Sequence, residues 1–153
     1  METELRPLAT DCPQVISMIT SIDQLMNSLY PPSSNQLLAL DEMNNDGVSF
    51  IGAWRGKQLL GCGAIRRCDN DGVYAELKRI YVNPEARGMG IARKIIGALE
   101  SHASNWRIST VRLEAGTRQP EALALYESLG YRVRDRFGQY PDDPFSVFME
   151  KTL

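Results

Sequence analysis

Two glycines one residue apart, Gly88 and Gly90, stand between an apolar run ending Ile80-Tyr81-Val82 and a long segment in which Ile91, Ile95, Leu99 and Ala103 recur at helical spacing. That order predicts strand, glycine loop, helix. The first turn of a helix leaves backbone N–H groups unpaired and carries the positive end of the helix dipole, and the two together favour phosphate oxygens. Glycine removes the Cβ that would keep backbone and ligand apart. Arg87, just before the loop, adds a forked donor. The stretch Arg87-Gly-Met-Gly-Ile-Ala92 is therefore the predicted seat of a pyrophosphate.

The rest of the chain limits what that phosphate belongs to. At 153 residues, a single domain spanning 1–153 is expected. The net charge of -2 argues against a general nucleic-acid binder, which carries a basic surplus. Cys12, Cys62 and Cys68 form no CxxC pair, and His102 is the only histidine, so neither a metal centre nor Ser-His-Asp hydrolysis is expected. An odd cysteine count fits a reducing compartment. No stretch of about 18 apolar residues and no leader-like opening occur, so the expected location is cytoplasmic, with no membrane partner.

Taken in order, Glu2 to Leu8 reads as an edge strand, since Pro7 is tolerated only there. Asp11 is a candidate cap and Pro13 a first-turn residue for a helix whose stripe is Val15, Ile19, Ile22, Met26 and Leu29. Tyr30-Pro31-Pro32 ends it, and a short second helix is expected from about Ser34 to Met43. Val48–Trp54, Leu59–Arg67 and Tyr74–Val82 read as a three-strand meander with turns at Arg55–Gln58 and Asp69–Gly72. Leu77 and Ile80 are three apart whereas Ile80 and Val82 are two apart, so a bulge is predicted near Lys78-Arg79. Thr110–Ala115 reads as a buried strand. Pro120 opens a helix with Ala122, Leu125, Tyr126 and Leu129 on one face, and Gly130 stops it. Tyr131–Arg134 and Phe145–Lys151 close the chain as strands.

The other glycine-rich phosphate loops fit poorly. No Gly-Lys-Ser/Thr follows, and Gly88-x-Gly90 meets Arg93 where a dinucleotide fingerprint needs glycine. Glu76-Leu-Lys-Arg-Ile-Tyr-Val-Asn-Pro-Glu-Ala-Arg-Gly-Met-Gly-Ile-Ala92 resembles motif A of the GCN5-related N-acetyltransferases, with Arg87-x-x-Gly90-x-Ala92 on its signature. Pro120-Glu-Ala-Leu-Ala-Leu-Tyr-Glu-Ser-Leu-Gly-Tyr131 resembles motif B. The ending from Phe137 to Lys151 is similar to a bacterial subgroup of small N-acetyltransferases.

That resemblance implies an α/β (α+β) fold: a mixed, mostly antiparallel sheet of about seven strands, with strands 4 and 5 splayed apart, flanked by about four helices. It implies acetyl-coenzyme A as cosubstrate. Ile80, Tyr81 and Val82 would bond the pantetheine arm, Arg87, Gly88, Met89, Gly90, Ile91 and Ala92 would hold the pyrophosphate, and Gln119 occupies a place where relatives often carry a cofactor-contacting asparagine. The implied activity is acetyl transfer to a primary amine of a small molecule, amino-acid derivative or peptide by direct attack. Glu76 is the implied base and Tyr126 the implied acid. A non-catalytic acetyl-coenzyme A sensor or interaction module is the alternative, and a homodimer is a further expectation. Arg66, Arg67, Lys78 and Arg79 form a basic cluster that either grips an acceptor carboxylate or is plain surface.

Overall fold

The computed structural model describes residues 2–153. One sheet of seven strands runs in the order β1-β2-β3-β4-β5-β7-β6. Its members are β1 (Glu4–Pro7), β2 (Val48–Arg55), β3 (Gln58–Cys68), β4 (Tyr74–Val82), β5 (Thr110–Gly116), β6 (Arg132–Arg134) and β7 (Ser146–Thr152). Every neighbouring pair is antiparallel except β4 with β5. Three α-helices flank the sheet among the described residues, α1 (Pro13–Leu29), α2 (Ile91–Asn105) and α3 (Pro120–Ser128), where about four helices were expected.

The two long helices cover opposite cores. α1 sets Val15, Met18, Ile19 and Ile22 against Phe50, Cys62 and Ala64. α2 sets Ile91, Ile95, Leu99 and Ala103 against Ile51, Leu60, Ile65 and Val111. Both stripes follow the spacing that predicts them. β1 is an edge strand and carries Pro7, as its sequence requires. Gly130, at φ 98°, closes α3 in the left-handed region.

Two local expectations fail. Asp11 does not cap α1; Cys12 is the N-cap and no side chain bonds the first turn. Ser34–Met43 is not one helix: residues 35–39 run without helix between two short 3-10 helices, Pro32–Ser34 and Leu40–Asn44. The reason is tertiary. The Gln36 carbonyl accepts from Lys78 Nζ at 2.7 Å and the Leu38 carbonyl from Arg79 Nε at 2.9 Å. With those carbonyls satisfied from β4, and Leu38 only 3% exposed, the segment gains little from coiling.

The predicted bulge is present. Between the pairs Cys62↔Tyr81 and Ala64↔Lys78, β4 spends three steps against two on β3. Arg79 absorbs the extra residue at φ 59°. Its side chain turns inward, ion-paired to Asp23 of α1 at 2.6 Å as well as bonded to Leu38. The basic cluster is thus split: Arg79 is a buried clamp, Arg67 lies exposed, and Arg66 and Lys78 border one polar cavity.

Two glycines give opposite expectations for stability. At Gly116 an added Cβ collides with the Tyr30 hydroxyl, whereas at the exposed Gly97 of α2 it meets nothing within 4 Å. Gly116→Ala should destabilise by about 1–3 kcal/mol through overpacking. Gly97→Ala should stabilise by about 0.8–1 kcal/mol through helix propensity. Urea midpoints of both variants at constant slope check the pair.

Candidate active site

β4 and β5 pair only at Ala75↔Val111 and Glu76↔Arg112. Past that point they part. Leu77, Lys78, Arg79 and Ile80 of β4 then face Leu113, Glu114, Ala115 and Gly116 of β5 across a cavity of about 110 Å³. An unpaired strand edge in such a gap offers backbone donors and acceptors to an extended ligand. Tyr126 and Gln119 close one side of it, and Met26, Tyr30 and the 34–38 segment close the other.

The open end of β4 leads into the glycine loop. Gly88 and Gly90 adopt φ 80° and 75°, and a Cβ on either would meet no atom of the chain within 4 Å. Their glycine identity therefore serves backbone conformation, not packing. The first bond of α2 is Lys94 N–H to the Gly90 carbonyl at 3.2 Å. Among the described residues, the N–H groups of Gly88, Met89, Gly90, Ile91, Ala92 and Arg93 have no backbone acceptor. That cluster of donors at a helix mouth is suited to phosphate oxygens. Arg87 Nε donates to the Val82 carbonyl at 3.1 Å and the guanidinium lies 5.8 Å from the Tyr81 ring centroid. It thereby fastens the loop to β4 and keeps its Nη groups outward. Arg93 is drawn to Ser128 at 2.8 Å.

Glu76 is 0% exposed. One of its oxygens takes Arg66 Nε at 3.0 Å and Nη2 at 2.9 Å, and the other takes the Tyr140 hydroxyl. Lys78 Nζ donates to that same hydroxyl at 2.6 Å. Burial drives the Tyr140 phenol far above its ordinary range, helped by the Glu76 charge, so it stays a donor. Burial also lowers Lys78, an effect opposed by Glu76. Asp143 is held low by hydrogen bonds from Ser34 and from the Phe145 N–H, which makes it part of a loop turn.

Tyr126 is buried, 8% exposed, and sits at the cleft wall. Desolvation, and then the charge of Glu114, raise its phenol well above 10, so at neutral pH it carries its proton. Among the described residues its hydroxyl has no hydrogen-bond partner.

Glu114 is the group that sequence reasoning missed. It is half-buried on β5, where the strands have just parted, and accepts from Ser146 Oγ at 2.7 Å. Burial raises its carboxyl above the usual 4.5, while Ser146 and Lys78 pull it down. The available signal was alternation: Val111, Leu113 and Ala115 are buried on one face, which turns Glu114 to the other. Gln119 is also engaged, since its side-chain oxygen accepts from Tyr30 at 3.3 Å. The Tyr30 hydroxyl accepts in turn from the Arg118 N–H at 3.0 Å.

No helix among the described residues is long and apolar enough to cross a membrane. The acetyltransferase (GNAT) family matches residues 15–131 of this chain. An IAA acetyltransferase of Azospirillum brasilense is 40% identical over 139 residues, 91% of this chain and 90% of its own length. The N-acetyltransferase YsnE of Bacillus subtilis, itself uncharacterised, is 30% identical over 92% of this chain and 93% of its own. Among solved structures, a Klebsiella pneumoniae protein assigned to the acyl-CoA N-acyltransferases superposes with a TM-score of 0.80 at 32% identity, covering 99% of this chain and 97% of its own. A Thermoplasma acidophilum PaiA N-acetyltransferase, solved with coenzyme A, shares the fold at a TM-score of 0.78 and 21% identity over 100% of both chains. With the parted strands, the helix mouth and these matches together, the chain belongs to the GNAT family of acetyltransferases and is an acyltransferase.

Proposed function

We propose that this chain transfers the acetyl group of acetyl-coenzyme A to a primary amine by direct attack in a ternary complex. The observation that carries this reading is a continuous path. It runs from the unpaired N–H groups at the mouth of α2, along the open edge of β4, to a cleft containing one carboxylate, Glu114, and the phenol of Tyr126, beside a second phenol, Tyr30, already bonded to Gln119 and the Arg118 N–H. Family neighbours crystallised with coenzyme A or acetyl-coenzyme A support the cosubstrate. Gly88, Met89, Gly90, Ile91 and Ala92 would cradle the pyrophosphate, with Arg87 bracing the loop. Ile80, Tyr81 and Val82 would bond the pantetheine arm.

A lysine-like amine near pKa 10.4 costs about 4–5 kcal/mol to deprotonate at pH 7. A base is therefore needed. Glu114 fits this role better than Glu76, whose two oxygens are already occupied by Arg66 and Tyr140. Glu76 instead positions Arg66 and Tyr140 beside the cleft. Glu114 takes the ammonium proton and releases it to solvent; the neutral nitrogen then attacks the thioester carbon, and Glu114 takes the second proton as the C–N bond forms and passes it on to solvent. The carbon–sulfur bond breaks, and the thiolate takes the Tyr126 proton. Amide and free coenzyme A thiol result. Tyr126 regains its proton by way of solvent.

A thiol-release assay over a panel of primary amines tests the reading. Acceptor-dependent release is expected; saturable cofactor binding with no release from any acceptor would instead mark a sensor. Gly90→Val forces a side chain into the left-handed region, at about 1–2 kcal/mol. It should weaken acetyl-coenzyme A binding about tenfold; unchanged affinity would refute the loop assignment. Tyr126→Phe should lower kcat by about a hundredfold, with cofactor affinity nearly unaltered.

Glu114→Gln has a double signature. The native carboxyl has a raised value in the folded chain, so its contribution to stability is full below about 4.5 and is lost as pH rises through the higher folded value. The neutral glutamine avoids that loss. Its Tm should exceed the native one at pH 8 and match it at pH 4, while acetyl transfer falls and the acid limb of the pH profile flattens. Loss of stability at pH 8, with turnover retained, would remove Glu114 from the mechanism.

A further inference from the structure

A second cavity, of about 260 Å³, adjoins the cleft. Lys78 and the 35–38 segment line both cavities and form the wall between them. The second one is polar, bordered by Arg66, Asn70, Glu76, Lys78, Gln139 and Tyr140.

Its hydrogen-bonding inventory is lopsided. The acceptors are largely used: Glu76 by Arg66 and Tyr140, one oxygen of Glu42 by the Ala39 N–H at 3.2 Å, and the Asn70 side-chain oxygen by Tyr74 at 2.7 Å. The donors are not. Among the described residues, Nη1 of Arg66 and the Asn70 amide nitrogen have no partner, and neither atom of the Gln139 side-chain amide has one. Arg66 presents 33% of its side chain to solvent, although its other edge is fixed on Glu76. That leaves a guanidinium edge pre-oriented by a buried carboxylate, an arrangement suited to a planar oxyanion. Arg66 and Lys78 oppose the buried carboxylate Glu76 and, at the exposed rim, Glu42, so the lining is balanced as a whole and the attraction for an anion is local to the free edge of Arg66.

We propose that this second cavity is the acceptor's recognition pocket and that it selects amines bearing a carboxylate. The inference rests on the acetyltransferase reading for the role of the amine, and adds the chemical class of the acceptor. A carboxylate held on the free edge of Arg66 and on the Asn70 and Gln139 amides leaves the rest of a small amino acid to extend past Lys78 toward Glu114. The recognition is carried by charge-assisted hydrogen bonds, so replacing the acid by an amide removes both the charge match and one acceptor oxygen.

The test uses N-acetyl-amino acids, the product form, against their N-acetyl carboxamides. Both are titrated into the full chain with and without coenzyme A, and binding is followed by ligand-observed NMR, which needs no turnover. The acid should bind saturably and at least tenfold more tightly than the amide. The double variant Arg66→Gln/Glu76→Gln removes one cation and one anion together, leaving Lys78 on its hydrogen bonds to Tyr140 and the Gln36 carbonyl, and its fold is checked by its melting curve. In it the preference should fall below about threefold. Asn70→Ala should reduce it partially. Equal affinity of acid and amide, absence of saturable binding by either, or a preference that survives in the folded double variant each overturns the proposal. Failure of coenzyme A to bind would overturn the cofactor reading instead, and the acid–amide comparison would still decide the pocket, because it is read without cofactor as well.

Discussion

The ion pair between Arg79 and Asp23, buried on the arginine side, is the contact on which the working part of this fold depends. An arginine at φ 59° within a strand is an unfavourable backbone state. It persists because the guanidinium is fixed at both Asp23 and the Leu38 carbonyl. The bulge it creates re-aims β4 so that Lys78 faces the cavities and Ile80 packs toward α2. The same clamp holds α1 and the segment after it against the sheet. Strand geometry, helix docking and the wall between the two cavities therefore share one buried guanidinium. Removing one partner of such a pair leaves an uncompensated charge, which costs far more than the pair itself contributes.

Much of this was legible in the chain. The helical spacing of Ile91, Ile95, Leu99 and Ala103, the turn ending at Gly72, and the irregular spacing of Leu77, Ile80 and Val82 each depend on neighbours a few residues away. The segment from Ser34 to Met43 was not. Its carbonyl partners Lys78 and Arg79 lie 42 and 41 positions further along, and no local pattern reports them. Glu114 was hidden for a similar reason. Its importance comes from the strands parting beside it, a property of two strands and not of one. The carboxylate that motif resemblance singled out, Glu76, lies in the last pair that joins β4 to β5, opposite Arg112, whereas Glu114 lies two residues beyond that pair. The separation of an occupied carboxylate from an available one is set by those two residues.

The two carboxylates also differ electrostatically. Glu76 is compensated by Arg66 and by neutral donors, so full burial is tolerable. Glu114 has a serine and a more distant lysine, and its charged form is penalised. A group kept in that condition lowers the stability of the folded chain near neutrality, and sites that do chemistry are where such compromises concentrate. Cys62 shows the contrasting outcome: fully interior, with its thiol pushed up to about 12, it is an inert packing residue.

The lock between Tyr30 and Gly116 bears on how acceptor choice diverges among such proteins. The tyrosine terminates α1, directly before the segment that walls both cavities, and its hydroxyl is held by the backbone that launches α3, the helix bearing Tyr126. A first helix transplanted from another family member with a different residue in place of Tyr30 would arrive without its matching notch in β5. Chimaeras that exchange this helix together with its final tyrosine therefore disturb the backbone that launches the helix carrying Tyr126, and change is constrained to move in step at positions far apart in the chain.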